Sequence, residues 1–190
     1  MPVFEIMPTA FTLLQERIAQ TSDSNAFKEL YYILFNDLTR FANIFIQQKE
    51  LSEEVVQDVF TKLWQQRSNI NSINNLKVYL YSATKNTALN YRKKYPLQSL
   101  SALSIEALNV SYDIKNPEEL FITREMFKQV NEAIETMPPK CKLIFILVKE
   151  DGLKYKEVAQ ILNISPKTVE NQMGIALKKL SLSLRLKINS

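Results

Sequence analysis

Residues 153–180, LKYKEVAQILNISPKTVENQMGIALKKL, constrain the fold more than any other stretch. Tyr155, Val158, Ala159 and Leu162 recur at helical spacing and predict the buried face of a short first helix. Asn163 falls where the turn needs a positive φ, a conformation that glycine adopts most easily and asparagine next. Ser165 is suited to cap a second helix through its hydroxyl, and Pro166 fits the first helical position, where its missing N–H costs nothing. Val169, Met173, Ala176, Leu177 and Leu180 then mark the apolar side of that second helix. Lys167, Thr168, Glu170, Asn171 and Lys178 face outward. Ala159 sits where the two helices must approach closely.

A helix, a tight turn and a second helix form the layout of a helix-turn-helix, whose second helix enters the DNA major groove. An amphipathic hairpin in a helical core has the same spacing, so the rest of the chain must decide. Only two glycines occur, Gly152 and Gly174, too few for a sheet with tight hairpins, which favours an all-α chain. Histidine is absent and Cys141 is the single cysteine, so no Ser/His/Asp triad, Cys/His dyad or ordinary zinc site can be assembled. An intrachain disulfide is excluded, which fits a reducing cytoplasm. No signal peptide is legible, and the apolar run 143–148 is far too short to span a bilayer. The net charge of +4 divides as +2 over 1–95, −3 over 96–120 and +5 over 121–190. Two mildly basic blocks flank an acidic connector, a weak pointer to polyanion binding.

Helical patterning begins at 9–20 and continues at 26–47, where Phe27, Leu30, Tyr31, Leu34, Leu38, Phe41, Ile44 and Phe45 predict a broad core face. Residues 51–67 predict a third helix, capped by Ser52, with Glu53 and Glu54 in its first turn. Glu54, Gln57, Asp58 and Thr61 form its outward face, either solvated or a dock for a basic partner. Residues 68–75 read as a polar loop whose Asn and Ser side chains favour turns and can also reach nucleobases. A long helix over 76–94 follows, with Leu76, Tyr79, Leu80, Ala83, Ala88 and Tyr91 on its buried side. Its basic end suits single-stranded nucleic acid, but the helix dipole alone rewards the same charges. Pro96 ends it. Residues 96–116 are rich in Ser and Leu and read as a flexible linker. Asn116 and Pro117 start a helix running to about Thr136. An apolar helix over 140–149 follows Met137-Pro138-Pro139 and is terminated by Gly152. The tail after Leu180 is expected to fray past Leu184.

Two blocks of residues carry a family resemblance over nearly the whole chain. One is Gln57-Asp58-Val59-Phe60 with Leu63-Trp64, Tyr79-Leu80 and Asn86-Thr87-Ala88. The other is Met137-Pro138-Pro139-Lys140-Cys141, Phe145, Gly152, Lys156-Glu157-Val158-Ala159 and Ser165-Pro166-Lys167-Thr168-Val169-Glu170. In this order, with a linker between, they resemble regions 2 and 4 of an extracytoplasmic-function (ECF) sigma factor of bacterial RNA polymerase. The Pro-Lys-Cys and Thr-Val-Glu-Asn stretches look most like the iron-uptake-type group common in Bacteroidetes. The resemblance implies two helical domains, 1–95 and 117–190, joined by 96–116.

It also implies a promoter-specificity subunit with no catalysis, cofactor, metal or small-molecule substrate of its own. Glu54, Gln57, Asp58 and Thr61 are then expected to dock the β′ clamp helices of core RNA polymerase, with the β flap as a further contact. Ser68, Asn69, Asn71, Asn74 and Asn75 are expected to capture a base of the −10 element. Lys85, Asn86, Asn90, Arg92 and Lys93 are expected on the −10 duplex and the opened strand. Lys167, Thr168, Glu170, Asn171 and Gln172 are expected to read −35 bases, while Ser165 and Lys178 hold phosphate. A membrane-anchored anti-sigma factor is implied as a further partner. The chain departs from the family pattern at Tyr79, where Trp is frequent, at Asn90 (Asp), Asn163 (Gly) and Ile175 (Arg). Ile175 removes a phosphate contact, and Cys141 reads as a packed residue. The alternative is a stand-alone helix-turn-helix regulator of the response-regulator type, which requires an N-terminal receiver domain of alternating strands and helices.

Overall fold

A computed structural model describes the backbone of residues 7–94 and 124–188. The connector 96–116 and the Asn116-Pro117 helix start lie outside the described residues. Every regular element among them is helical. The chain divides into two compact units, Met1–Gln98 and Ser99–Ser190. The first holds α1 (Met7–Thr21), α2 (Ser24–Ile46), α3 (Lys49–Gln65), a 3-10 helix (Arg67–Ser72) and α4 (Leu76–Lys94). The second holds α5 (Arg124–Glu135), α6 (Pro139–Lys149), α7 (Tyr155–Leu162) and α8 (Pro166–Ile188). The helical first unit removes the receiver-domain reading, which needs a parallel sheet. No helix among the described residues is long and apolar enough to cross a membrane.

In the first unit α2 is the spine, packing against α1, α3 and α4. Its start is fixed by Asp23, whose carboxylate accepts from the N–H groups of Asn25 and Ala26 at 2.9 and 3.1 Å. Arg17 closes on the same carboxylate at 2.7 Å. These contacts hold the Asp23 carboxyl below its ordinary pKa, the Ala26 N–H contributing most. Leu30, Leu34, Leu38 and Phe41 line the buried face of α2. Phe41 meets Tyr81 of α4 with ring centroids 5.2 Å apart, and Tyr31 meets Phe60 of α3 at 4.9 Å. Such contacts add to the area buried by each ring.

The third helix starts two residues earlier than the sequence suggests, and Ser52 does not cap it. Ser52 is fully buried inside the first turn, donating to Gln48 O at 2.7 Å and lying 3.3 Å from Asn43 Oδ1. Glu50, rather than Glu53 and Glu54, occupies the first turn.

In the second unit α8 is the spine, packing against α5, α6 and α7. In α6, Cys141, Lys142, Leu143, Ile144, Phe145, Ile146 and Leu147 are all buried, the pattern of a helix apolar nearly all round. The buried Lys142 pairs with Glu135, its Nζ 2.7 Å from Oε2. The helix ends at Lys149, and Gly152, at φ 65°, turns the chain a little later than a C′ glycine. The Leu153 N–H then returns to Leu147 O at 3.0 Å. Cys141 is buried, as its reading as a packed residue expects, with its thiol 3.3 Å from Gln172 O. Burial pushes that thiol's pKa up, which opposes thiolate chemistry.

Candidate nucleic-acid interface

The α7–α8 hairpin forms as its local chemistry requires. Lys154 precedes α7, and its backbone N–H is held by the Glu157 carboxylate at 2.7 Å. Asn163 stands at φ 55°, ψ 50°, the left-handed conformation that a turn this tight demands. The Ile164 N–H returns to Ala159 O at 3.0 Å. Ser165 Oγ then accepts from the Thr168 N–H at 3.0 Å, which satisfies an orphan donor at the start of α8. Val158, Ala159, Val169, Met173 and Ala176 are buried along the hairpin. Tyr155 and Leu177 are exposed, contrary to their expected place in the core. Helix α8 also continues to Ile188, so the tail is helical well beyond Leu184.

Lys167, Glu170, Asn171 and Lys178 are exposed along α8, with Gly174 between the last two. The interval of three or four residues puts them on one face. Lys167 and Glu170 are not independent: Nζ lies 2.9 Å from Oε2 across one turn. A pair this exposed contributes little to stability and opens readily for another partner. Thr168 is half-buried, its Oγ1 2.8 Å from Ser165 Oγ, so both hydroxyls serve the cap. Gln172 is half-buried at the edge of the face, and Ile175 is 43 % exposed.

In the first unit Glu54, Gln57 and Thr61 project from α3 into solvent, and Asp58 is half-buried. Asp58 Oδ2 accepts from the Tyr91 hydroxyl of α4 at 2.6 Å, and Glu54 Oε1 lies 3.2 Å from the same oxygen. The hydrogen bond to Asp58 and the partial burial of the ring raise the Tyr91 pKa well above its ordinary value. Tyr91 is therefore half-buried at the junction of the acidic face and the basic end of α4. Periodicity within α3 places Asp58 outward with Glu54 but carries no trace of a partner 33 residues later.

The polar segment expected as a loop is a 3-10 helix with an extended connection to α4. Ile70 is its buried anchor. Arg67 stacks over Trp64 at 4.7 Å and donates to Trp64 O and Ser22 Oγ at 3.1 and 2.9 Å. Ser68, Asn69, Asn71 and Asn74 point to solvent. Asn75 caps α4, accepting from the Val78 N–H at 3.0 Å. From α1, Gln15 Nε2 donates to Ile70 O at 2.6 Å and Ile73 O at 2.8 Å. Sequence reasoning missed Gln15 and Arg67, since neither contact has a periodic or motif signature.

Along α4, Asn86, Asn90 and Lys93 are exposed on one face, with Lys85 and Arg92 half-buried beside it. Burial lowers the Lys85 pKa. Val78, Tyr81 and Thr84 take buried positions that the sequence reading assigned to Tyr79, Ala83 and Tyr91. Tyr79 is 37 % exposed and points away from the core.

Two family matches fall on these surfaces. Residues 32–95 match "Sigma-70 region 2" and residues 127–180 match "Sigma-70, region 4". Together they span well over half of the chain. The ECF RNA polymerase sigma-E factor of Escherichia coli (strain K12) is 26% identical over 168 residues, covering 85% of this chain and 87% of that protein. The protein of the same name from Haemophilus influenzae is 25% identical over 167 residues, covering 84% and 87%. A solved structure of CnrH in complex with the cytosolic domain of CnrY superposes with a TM-score of 0.55 at 20% identity, covering 94% of this chain and 99% of that one. The sigma factor RpoE in complex with the anti-sigma factor NepR from Bartonella quintana gives 0.53 at 19% identity, covering 85% and 98%. At these identities the structural likeness speaks for the fold alone.

Proposed function

The chain belongs to the ECF sigma factors, as an alternative sigma factor directing transcription initiation, and from that premise we propose how its residues divide the work. The unit over 1–95 binds core RNA polymerase and opens the −10 element. The unit over 117–190 reads the −35 duplex, and 96–116 connects them. On α8, Lys167, Thr168, Glu170, Asn171 and Gln172 reach base edges, while Ser165 and Lys178 engage the backbone. Opening the Lys167–Glu170 pair frees a donor and an acceptor together, so one turn of helix can address both members of a base pair. The observation that carries this reading is the α7–α8 geometry, a left-handed Asn163 and a Ser165 cap that present Lys167, Glu170, Asn171 and Lys178 on one exposed face.

On the first unit, Ser68, Asn69, Asn71 and Asn74 take up a base flipped from the −10 element, with Asn75 at the start of α4. Base capture costs a few kcal/mol of unstacking, which contacts in a fitted pocket offset. Lys85, Asn86, Asn90, Arg92 and Lys93 follow the −10 duplex and the opened strand. Glu54, Gln57, Asp58 and Thr61 face the β′ clamp helices, and the β flap meets the second unit. Replacing residues 69–75 with a Gly/Ser segment should abolish permanganate reactivity of −10 thymines in the holoenzyme complex. Wild-type reactivity in that variant would remove the segment from the mechanism.

We further propose cytoplasmic action under a membrane-anchored anti-sigma factor. Support for an anti-sigma partner comes from two structural neighbours solved as complexes, CnrH with the cytosolic domain of CnrY and RpoE with the anti-sigma factor NepR. The Pro139-Lys140-Cys141 and Thr168-Val169-Glu170-Asn171 stretches support a place in the iron-uptake-type group of Bacteroidetes.

A further inference from the structure

We propose that Gln15 is the positioning residue of the base-capture segment. The inference rests on the reading of residues 68–75 as the −10 contact. It concerns a helix, α1, that lies outside the stretch matched as region 2, residues 32–95.

A carboxamide nitrogen carries two hydrogens, and carbonyl oxygens only accept. With Ile70 O and Ile73 O at 2.6 and 2.8 Å, the nitrogen of Gln15 is the end that must face them, and each hydrogen has its own acceptor. The two carbonyls bracket the exit of the 3-10 helix. Ile70 O also accepts the Ile73 N–H at 3.1 Å, closing its last turn. One side chain therefore fixes both ends of the step at which the segment passes from 3-10 to extended backbone.

Asn71 lies between the bracketed residues and Asn74 just after them, both facing solvent. The Ile70 side chain anchors the opposite side at 1% exposure. Arg67 ties the entry of the segment to Ser22, just beyond α1. Neighbouring chain thus holds the segment at entry and exit and leaves its Asn side chains outward. A recognition segment ordered before its ligand arrives does not lose that freedom on binding, which raises affinity and sharpens discrimination. Gln15 touches no nucleic acid in this scheme and acts through the backbone it holds.

The test uses the full chain with core polymerase. Gln15→Met keeps the side-chain length and removes both donors, and Gln15→Asn keeps the amide but shortens its reach. Both variants should open a duplex promoter about tenfold more slowly, the expected scale for two lost hydrogen bonds. Their base preference across a −10 library should flatten. Core affinity and −35 duplex binding should stay at wild-type values, and the melting temperature should fall by no more than the few degrees that two lost hydrogen bonds cost. Unchanged opening and unchanged base preference in both variants would overturn the proposal. So would a parallel loss of core affinity and melting temperature, which marks Gln15 as a scaffold residue. A wild-type holoenzyme that opens no promoter overturns the underlying reading and this inference with it, a result distinct from an active wild type with indifferent variants.

Discussion

At the scale of residues, the least anticipated contact is the Tyr91 hydroxyl on Asp58 at 2.6 Å. Its raised pKa has a definite consequence for stability. The folded phenol holds its proton to higher pH than the unfolded one, so the stabilisation is complete below the ordinary tyrosine pKa and is lost as pH rises through the folded value. Chemical denaturation across the alkaline range should show the first unit weakening, and Tyr91→Phe should flatten that dependence. On α8, Lys167→Ala or Asn171→Ala should weaken −35 recognition by about 1–3 kcal/mol if each makes a good base contact. Promoter competition assays measure this, and unchanged preference in both variants would remove the base-reading assignment. Asn163 and Ser165 were legible in the sequence because turn and cap chemistry is local. The Tyr91–Asp58 and Gln15–Ile70 contacts were not, because each joins residues far apart in the chain.

At the scale of elements, most helices follow from apolar spacing, and the departures have physical causes. Ser52 is a good cap by type. Its hydroxyl instead donates to Gln48 O inside a helix that began earlier, a bond that Ser can make within a helix. Residues 68–75 read as a loop by composition, yet Ile70 finds a buried site and the backbone tightens into a 3-10 helix around it. Tyr155 and Leu177 have core spacing but sit at the margins of a small hairpin, where neighbours do not cover them. The α3 face also changes how its proposed role is best tested. Asp58→Arg would break the bond to Tyr91 along with any contact to polymerase. Gln57 and Thr61 are exposed and avoid that confusion. Gln57→Arg and Thr61→Arg together should reduce core affinity at least tenfold with an unchanged melting temperature, since two added cations cancel the charge of Glu54 and Asp58 and set like charges against a basic partner, which costs on the order of a few kcal/mol. Normal core affinity in a pull-down titration would show that the face is only solvated.

At the scale of the whole molecule, the two units each carry a polar face and only a modest positive charge. The unit with the helix-turn-helix exposes Ile175 on α8, a side chain that offers phosphate no donor. Promoter reading is therefore proposed as a property of the complex with core polymerase, which would contribute affinity and hold both faces on one DNA. Run-off transcription with purified core, on a library randomised in the −35 and −10 elements, tests that claim most directly. Transcripts should appear only with core and this chain together and should enrich one spaced pair of elements. The enrichment at −35 should be lost on Lys167→Ala with Asn171→Ala. Transcripts without element preference, or tight sequence-specific duplex binding by the chain alone that core does not strengthen, would contradict it.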